Sequence, residues 1–323
     1  MDPVLVVGAG IAGISAARVL TAAGLSVAVL DRGRRIGGRM AVRTTDDRPV
    51  DTGASYFTVS DPAFAAVVDD WQARGLARPW TDTFHVYDQG ELTSTSGPVR
   101  WAAPRGLRSL VEDLAEGIEV RQQQVVQLEP GPQVDGEVAS AVVLAMPDPQ
   151  AERLLHPSFG AEIEALTDPY APVLVLTAGW ERRSWRDDLD GVFVQHDDAL
   201  TWIADDGRRR GDQAPVLVAH STEELARQHL DGPAAAGDPM LAALQRVLGI
   251  DEPPAWTHVH RWTFAKPAAT RDTSYFLGPD GIGLCGDAWS DKPRVEAAFL
   301  SGAALGQALV ERHRVRTPYA QDS

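Results

Sequence analysis

The stretch VLVVGAGIAGISAARVLTAAGLSVAVLDRGRRIGGRM (residues 4–40) decides the fold. It is apolar enough for a membrane anchor, yet glycines break it at Gly8, Gly10, Gly13 and Gly24. A spanning helix needs about 20 uninterrupted apolar residues, and an export signal needs a basic segment before its apolar run. Here the only charge before Val4 is Asp2, so both anchor readings fail. The stretch reads instead as a buried strand at 4–7, the turn GAGIAG, a helix at 14–23 closed by Gly24, and a second strand at 26–30.

Such a strand–turn–helix–strand unit cradles a dinucleotide. Gly8 permits the tight turn, Gly10 lets the backbone approach a pyrophosphate, and Gly13 lets the helix pack on the strand, with Ala12 between Gly10 and Gly13. The helix N-terminus, with its partial positive charge, then faces the phosphates. Asp31, at the tip of the second strand, is placed to accept hydrogen bonds from the ribose hydroxyls. The loop after it, with Arg32 and then Gly37, Gly38, Arg39 and Met40, offers backbone N–H groups and a guanidinium to phosphate, although a GGR taken alone is more simply a surface loop with an arginine.

A second signal stands near the other end. IGLCGDAW (282–289) reads as a short strand ending at Gly286 and Asp287, and an amphipathic helix begins at Arg294, Val295 and Glu296. Both ends of the chain then belong to one domain and the middle folds as an insertion. In the middle, 62–75 and the segment from Gly106 have helical spacing, as do 223–230 and 239–248. Strands are expected around 84–87, at 118–128, 141–145 and 173–180, in FVQH and LTWIA, and at 216–221. GRRRGDQ from Gly207 and AAAGDP before Met240 read as flexible, solvated loops.

Composition narrows the setting. The 323 residues exceed what a single core serves, so two domains are expected. A net charge of -15 argues against nucleic acid or an anionic membrane surface as partner. Cys285 is the single cysteine, so no internal disulfide forms and a cytoplasmic location is the default. Lysine occurs only at Lys266 and Lys292. The histidines lack metal-site spacing; His258 and His260 come nearest, and no metal is expected.

These motifs, in this order, resemble the flavin amine oxidase superfamily, in which the acid is followed by a GGR and a GD pair precedes the last helix. Nearly the whole chain resembles bacterial renalases, small FAD proteins related to monoamine oxidases. The more specific matches are VDTGASYFT (50–58), VRWAAPRGL (99–107), HRWTFAKP (260–267) and GDAW with RVEAAFLSG (286–302). The chain departs from that family in carrying DDGRRRG after Trp202-Ile203-Ala204, and Leu225-Ala226 where the family shows Trp-Ser.

The resemblance implies an α/β fold: a discontinuous, three-layer Rossmann-like FAD-binding domain plus a mixed-sheet α+β substrate domain, of the amine-oxidase or p-hydroxybenzoate-hydroxylase type. It implies the division 1–60, 100–160 and 270–323 for FAD, and 61–99 and 161–269 for substrate. Non-covalent FAD would be held by Gly8, Gly10, Ala12, Gly13, Asp31, Arg32, Gly38, Arg39, Met40, Ala54, Ser55, Val125, Gly286, Asp287, Arg294, Val295 and Glu296. Val125 would touch adenine through its backbone, and Asp287 a ribityl hydroxyl. The implied reaction removes hydride from isomeric dihydronicotinamide nucleotides, with dioxygen as acceptor and hydrogen peroxide as product. Tyr56, Trp202, His260 and Trp262 are the candidate catalytic side chains, although core packing is a role open to each ring. An amine oxidase or desaturase of the same fold, or a flavin-binding protein without turnover, are the other readings.

Overall fold

Four residues, Val4–Val7, form the central strand of a six-stranded sheet and are all buried, which is why their run is apolar without alternation. The computed structural model describes residues 2–45 and 47–316. Contacts divide the described chain into two compact units, one within Met1–Gly38, Val111–Tyr170 and Pro267–Ser323, the other within Arg39–Leu110 and Ala171–Lys266. The chain thus leaves the first unit at Gly38, earlier than residue 60. The reason is local: the hairpin Val42–Thr45 with Arg48–Asp51 and the segment after it bond within the second unit, as when the Ala54 N–H donates to the Arg39 carbonyl at 2.9 Å.

In the first unit the sheet order is Phe276–Leu277, Ile282–Leu284, Ala141–Leu144, Val4–Val7, Val27–Asp31, Val120–Gln122. All pairs are parallel except the edge strand Phe276–Leu277. Alternate residues face opposite sides. Leu5, Val7, Leu30, Val142 and Leu144 pack with Phe159, Leu166 and Trp289 and with Leu128 and Val134 of a small three-stranded sheet. The helices Ile11–Ala22 and Val295–Arg316 pack against each other, giving a helix layer, the main sheet and the small sheet. This is a mixed α/β, Rossmann-like fold. The helix pair touches backbone to backbone: a Cβ on Gly302 would lie 1.9 Å from the Ala12 carbonyl oxygen.

The second unit holds a seven-stranded mixed sheet, in order Trp256–Pro267, Tyr170–Gly179, Val216–Ser221, Leu200–Asp205, Gly191–Gln195, Arg78–Asp88, Glu91–Ala102. Gly191–Gln195 runs parallel to Arg78–Asp88. One face is covered: Leu174, Leu176, Ile203, Leu217 and Ala219 pack with Leu225, Met240, Leu244 and Val247 of the helices Glu223–Gln228 and Gly237–Leu248. The other face carries Val173, Val175 and Val218 and Trp202, Phe84 and Ala204.

Three expectations are corrected. The first half of the loop expected from Gly207 is not solvated: Asp206–Arg210 is a helical turn with Arg209 and Arg210 buried, and only Gly211, Asp212 and Gln213 after it are exposed. AAAGDP is ordered as the turn Pro233–Ala236 leading into Gly237–Leu248, with Ala236 buried. The strand expected over 118–128 is only Val120–Gln122, followed by Leu128–Glu129 in the small sheet, so Val125 lies between strands, buried in the unit's core.

The helix contact gives a test. Gly302→Ala forces a Cβ against the Ala12 carbonyl oxygen and should destabilise by roughly 1–3 kcal/mol, visible as a clear fall in thermal midpoint. Gly160→Ala, where a Cβ meets nothing within 4 Å, should leave the midpoint unchanged or raise it.

Candidate active site

Glycine 8 adopts φ +107°, and a Cβ there would lie 2.6 Å from the Ala145 carbonyl oxygen. A Cβ on Gly13 would lie 2.0 Å from the Gly8 carbonyl oxygen, whereas Gly10 meets nothing nearer than the Gly38 Cα at 3.9 Å. Gly8 and Gly13 are therefore fixed by packing and Gly10 keeps open space, the division of labour that a pyrophosphate needs. Gly10 is the N-cap of the helix Ile11–Ala22, and no side chain caps it, so the helix end presents backbone N–H groups and positive dipole to an anion.

Asp31 ties the loops around that opening together. Its Oδ2 accepts from the Ala9 N–H at 2.7 Å and its Oδ1 from the Gly33 N–H at 2.6 Å. The Gly37 N–H donates to the Ala9 carbonyl at 2.9 Å. Each carboxylate oxygen has a second lone pair, so the ribose role stays compatible with this structural one, which the sequence did not reveal. Arg32 is exposed.

The tail of the chain completes the same unit. The Gly286 N–H donates to Ser301 Oγ at 3.0 Å, linking the GD pair to the C-terminal helix. Glu296, fully buried, pairs with Arg294 at 3.0 Å; Val295 is buried and Asp287 half-buried. Cys285 is buried, and burial pushes its thiol up to about 12, so it stays protonated and unreactive near neutral pH. Open space at Gly10, an uncapped helix end and clamped loops fit a dinucleotide, and the inert thiol fits a non-covalent one.

Arg39, Met40, Ala54 and Ser55 lie in the second unit. Arg39 donates to the Ala265 carbonyl at 3.2 Å, Met40 and Ser55 are buried, and Ser55 Oγ accepts from Trp202 Nε1–H at 3.0 Å. Trp202 stands 5.8 Å from Tyr56 and 4.8 Å from Phe84, centroid to centroid. Trp262 donates through Nε1–H to the Thr52 carbonyl at 2.6 Å and lies edge-on to His260 at 4.9 Å. Trp202 and Trp262 thus lie on the sheet face away from the helices Glu223–Gln228 and Gly237–Leu248, and the four candidate catalytic side chains form two pairs, with Tyr56 packed on Trp202 and His260 on Trp262. His220 joins them: it pairs in register with Trp202 and Val175, and its Nε2 is buried with no hydrogen-bond partner. Burial, with Lys266 and Arg209 nearby, pushes His220 down to about 3. Burial, with Arg43 nearby, pushes His260 down to about 4. Both imidazoles are neutral at pH 7. Burial raises the Tyr56 phenol against the pull of Arg100.

An ion cluster that sequence reasoning missed bonds to the segment that carries Thr52 and Ser55. Asp206 accepts from Arg209 at 2.5 Å, from Arg210 at 2.9 Å and from Arg48 at 2.8 Å. Arg210 also donates to Asp51 at 2.9 Å, whose other oxygen accepts from the Leu107 N–H at 2.9 Å. Burial alone would raise the Asp206 carboxyl, but the guanidiniums of Arg209, Arg210 and Arg48 outweigh it and hold the group at about 2. At Asp51 desolvation wins over Arg210 and Arg209 and the direction is upward.

Residues 6–71 match the NAD(P)-binding Rossmann-like domain model, and 71–305 match the model of flavin containing amine oxidoreductases. The chain belongs to that family, a family of flavin oxidoreductases, and FAD is the cofactor its cradle fits. It is 40% identical over 105 residues to putrescine oxidase of Kocuria rosea, covering 32% of this chain and 19% of that protein. It is 47% identical over 66 residues to hydroxyneurosporene desaturase of Rubrivivax gelatinosus, covering 20% of this chain and 13% of the desaturase. The matched segments therefore span less than a fifth of those relatives. Among solved structures, cyclohexylamine oxidase from Brevibacterium oxydans superimposes with TM-score 0.76 at 14% identity, covering 97% of this chain and 99% of that one. Putrescine oxidase bound to putrescine gives 0.72 at 18% identity, covering 96% and 99%. At these identities the superpositions establish the fold. Among the described residues no helix is long and apolar enough to cross a membrane, and no group of three or more His, Cys, Asp or Glu could hold a metal ion.

Asp206 yields a pH prediction. A carboxyl near 2 in the fold and about 4 unfolded contributes stability that is complete above about pH 4 and lost as pH falls toward 2. Asp51, shifted upward, contributes with the opposite sign. In urea unfolding between about pH 5 and pH 2, Asp206→Asn should start less stable than the wild type and lose less stability on acidification.

Proposed function

We propose that the protein is an FAD-dependent oxidase of isomeric dihydronicotinamide nucleotides, the 2- and 6-dihydro forms of NAD(P), as its resemblance to bacterial renalases implies. The observation that carries this reading is the sheet face of rings and neutral imidazoles: Tyr56, Trp202 and Trp262, with His220 near 3 and His260 near 4. A dihydropyridine that loses hydride regains an aromatic cation, so the reaction calls for orientation and no general base. The flat rings suit stacking on a flat substrate, and an uncharged imidazole leaves the developing pyridinium charge unopposed.

Bound FAD supplies the two-electron acceptor between substrate and dioxygen. Substrate, dioxygen and one proton give NAD(P)+ and hydrogen peroxide, which balances atoms and charge. On this reading the N–H groups at the start of the helix Ile11–Ala22 hold the diphosphate, with Gly8, Gly10, Ala12, Gly13 and Gly38 keeping its approach open. Asp31 meets the adenosine ribose, Arg32 and Arg39 add positive charge, and Val125 borders the adenine. Gly286 and Asp287 bind the ribityl chain. Arg294, Val295 and Glu296 set the start of the last helix, whose N-terminal dipole favours the negative charge of a reduced ring. The resemblance also counts Met40, Ala54 and Ser55 among the FAD-binding residues. A cytoplasmic setting, where nicotinamide nucleotides are abundant, fits the single buried thiol.

A second reading, oxidation of an amine, is favoured by the likeness to putrescine oxidase over 105 residues. Anaerobic titration of the FAD-loaded protein, followed in the visible flavin bands, separates the two. Aged NADH, which contains the isomers, should bleach the flavin, and air should restore it with one peroxide per flavin. Bound FAD that aged NADH leaves unchanged would overturn the proposal, and bleaching by putrescine or cyclohexylamine alone would install the second reading.

A further inference from the structure

The turn Asp206–Arg210 is held at both ends. Asp205 Oδ1 accepts from the Arg208 N–H at 2.9 Å, its Oδ2 accepts from Trp185 Nε1–H at 2.7 Å, and Gly211 closes the turn at φ +87°. Gly207 admits no side chain, because a Cβ there would lie 2.1 Å from the Ala214 carbonyl oxygen. Three consecutive arginines on one turn point in different directions. Arg208 goes to Asp190 at 2.8 Å. Arg209 goes to Asp206 and, through its other amino group, to the Ser55 carbonyl at 3.0 Å. Arg210 goes to Asp206 and Asp51.

Two of these arms end at the aromatic pairs. Ser55, held by Arg209 through its carbonyl, holds Trp202 through its hydroxyl and is followed by Tyr56. Asp51, held by Arg210, is followed by Thr52, whose carbonyl holds Trp262 beside His260. One buried carboxylate, Asp206, is common to both arms. Charges buried this deeply are poor stabilisers, since apolar residues of equal volume often do as well or better. What they supply is geometry, because planar guanidinium forks fix two partners at once.

We infer that Asp206, Arg209 and Arg210 form a positioning device that sets Trp202 and Tyr56 on one arm and Trp262 on the other, and so determines which flat substrate the face accepts. They act through Ser55 and Thr52 and are positioning residues. The DDGRRRG segment, where the chain departs from the renalase pattern, is then a specificity element. The substrate-facing role of the rings rests on the proposed function, whereas the coupling between cluster and rings stands by itself.

Arg209→Lys keeps the charge beside Asp206 and loses the fork to Ser55. The phenol of Tyr56, isolated as the difference from the same variant carrying Tyr56→Phe, should then titrate closer to the ordinary value of about 10, and tryptophan emission should shift to the red. With whichever substrate bleaches the flavin, KM should rise roughly tenfold with kcat within about twofold. Arg182→Met, at an exposed pair with Glu252, should change none of these. If Arg209→Lys does not fold, Ser55→Ala removes only the hydroxyl that holds Trp202 and should give the emission shift and the KM rise. A folded Arg209→Lys, or Ser55→Ala in its place, with wild-type emission and KM would overturn the inference. An altered titration in a protein that aged NADH does not bleach would sink the proposed substrate and leave the positioning device standing.

Discussion

A missing side chain at position 13 is the constraint on which the nucleotide unit depends. The first helix can start where it does only because nothing separates Gly13 from the Gly8 carbonyl, and a Cβ would sit at 2.0 Å. That closeness puts the uncapped helix end at the tip of the central strand, next to the Asp31 clamp. The C-terminal helix makes the same kind of contact with Ala12 through Gly302, so the first helix is packed backbone to backbone on two sides. These contacts leave little steric slack on either side of Gly10 for the loop 8–13 to take another course.

Much of this unit was legible in the sequence because its signals are local. GAGIAG follows its strand directly, and IGLCGDAW announces its own strand and turn. The central strands are apolar throughout because both their faces are buried, a pattern that needs no knowledge of partners. The helix begins at Ile11, three residues before the apolar periodicity shows it, because glycine and alanine in its first turn carry no periodic signal. What Asp31 does for the loops was hidden: its partners are backbone N–H groups, which no sequence displays.

The second unit was harder for a physical reason. A run of arginines reads as solvated unless its counter-charges are known, and Asp51 stands 159 residues from Arg210. Nothing near DDGRRRG distinguishes a buried ion cluster from a surface loop. The strand Glu91–Ala102, mostly exposed and rich in serine and threonine, likewise lacks the alternation that marks a half-buried strand. The candidate rings were found by residue type, but their grouping into two pairs, and the place of His220 beside Trp202, come from register and hydrogen bonds. Family membership and cradle together fix the cofactor class.

The claim beneath all of this is that the unit built from both ends of the chain binds FAD at an open helix N-terminus. Equilibrium titration of the purified apoprotein with FAD, followed by flavin fluorescence, tests it most directly. The account predicts one FAD per chain, released intact by acid, and loss of that binding when Gly10 is replaced by valine in a protein whose circular dichroism is unchanged. A folded wild-type protein that takes up no FAD, or a Gly10→Val variant that binds it as tightly, would contradict it.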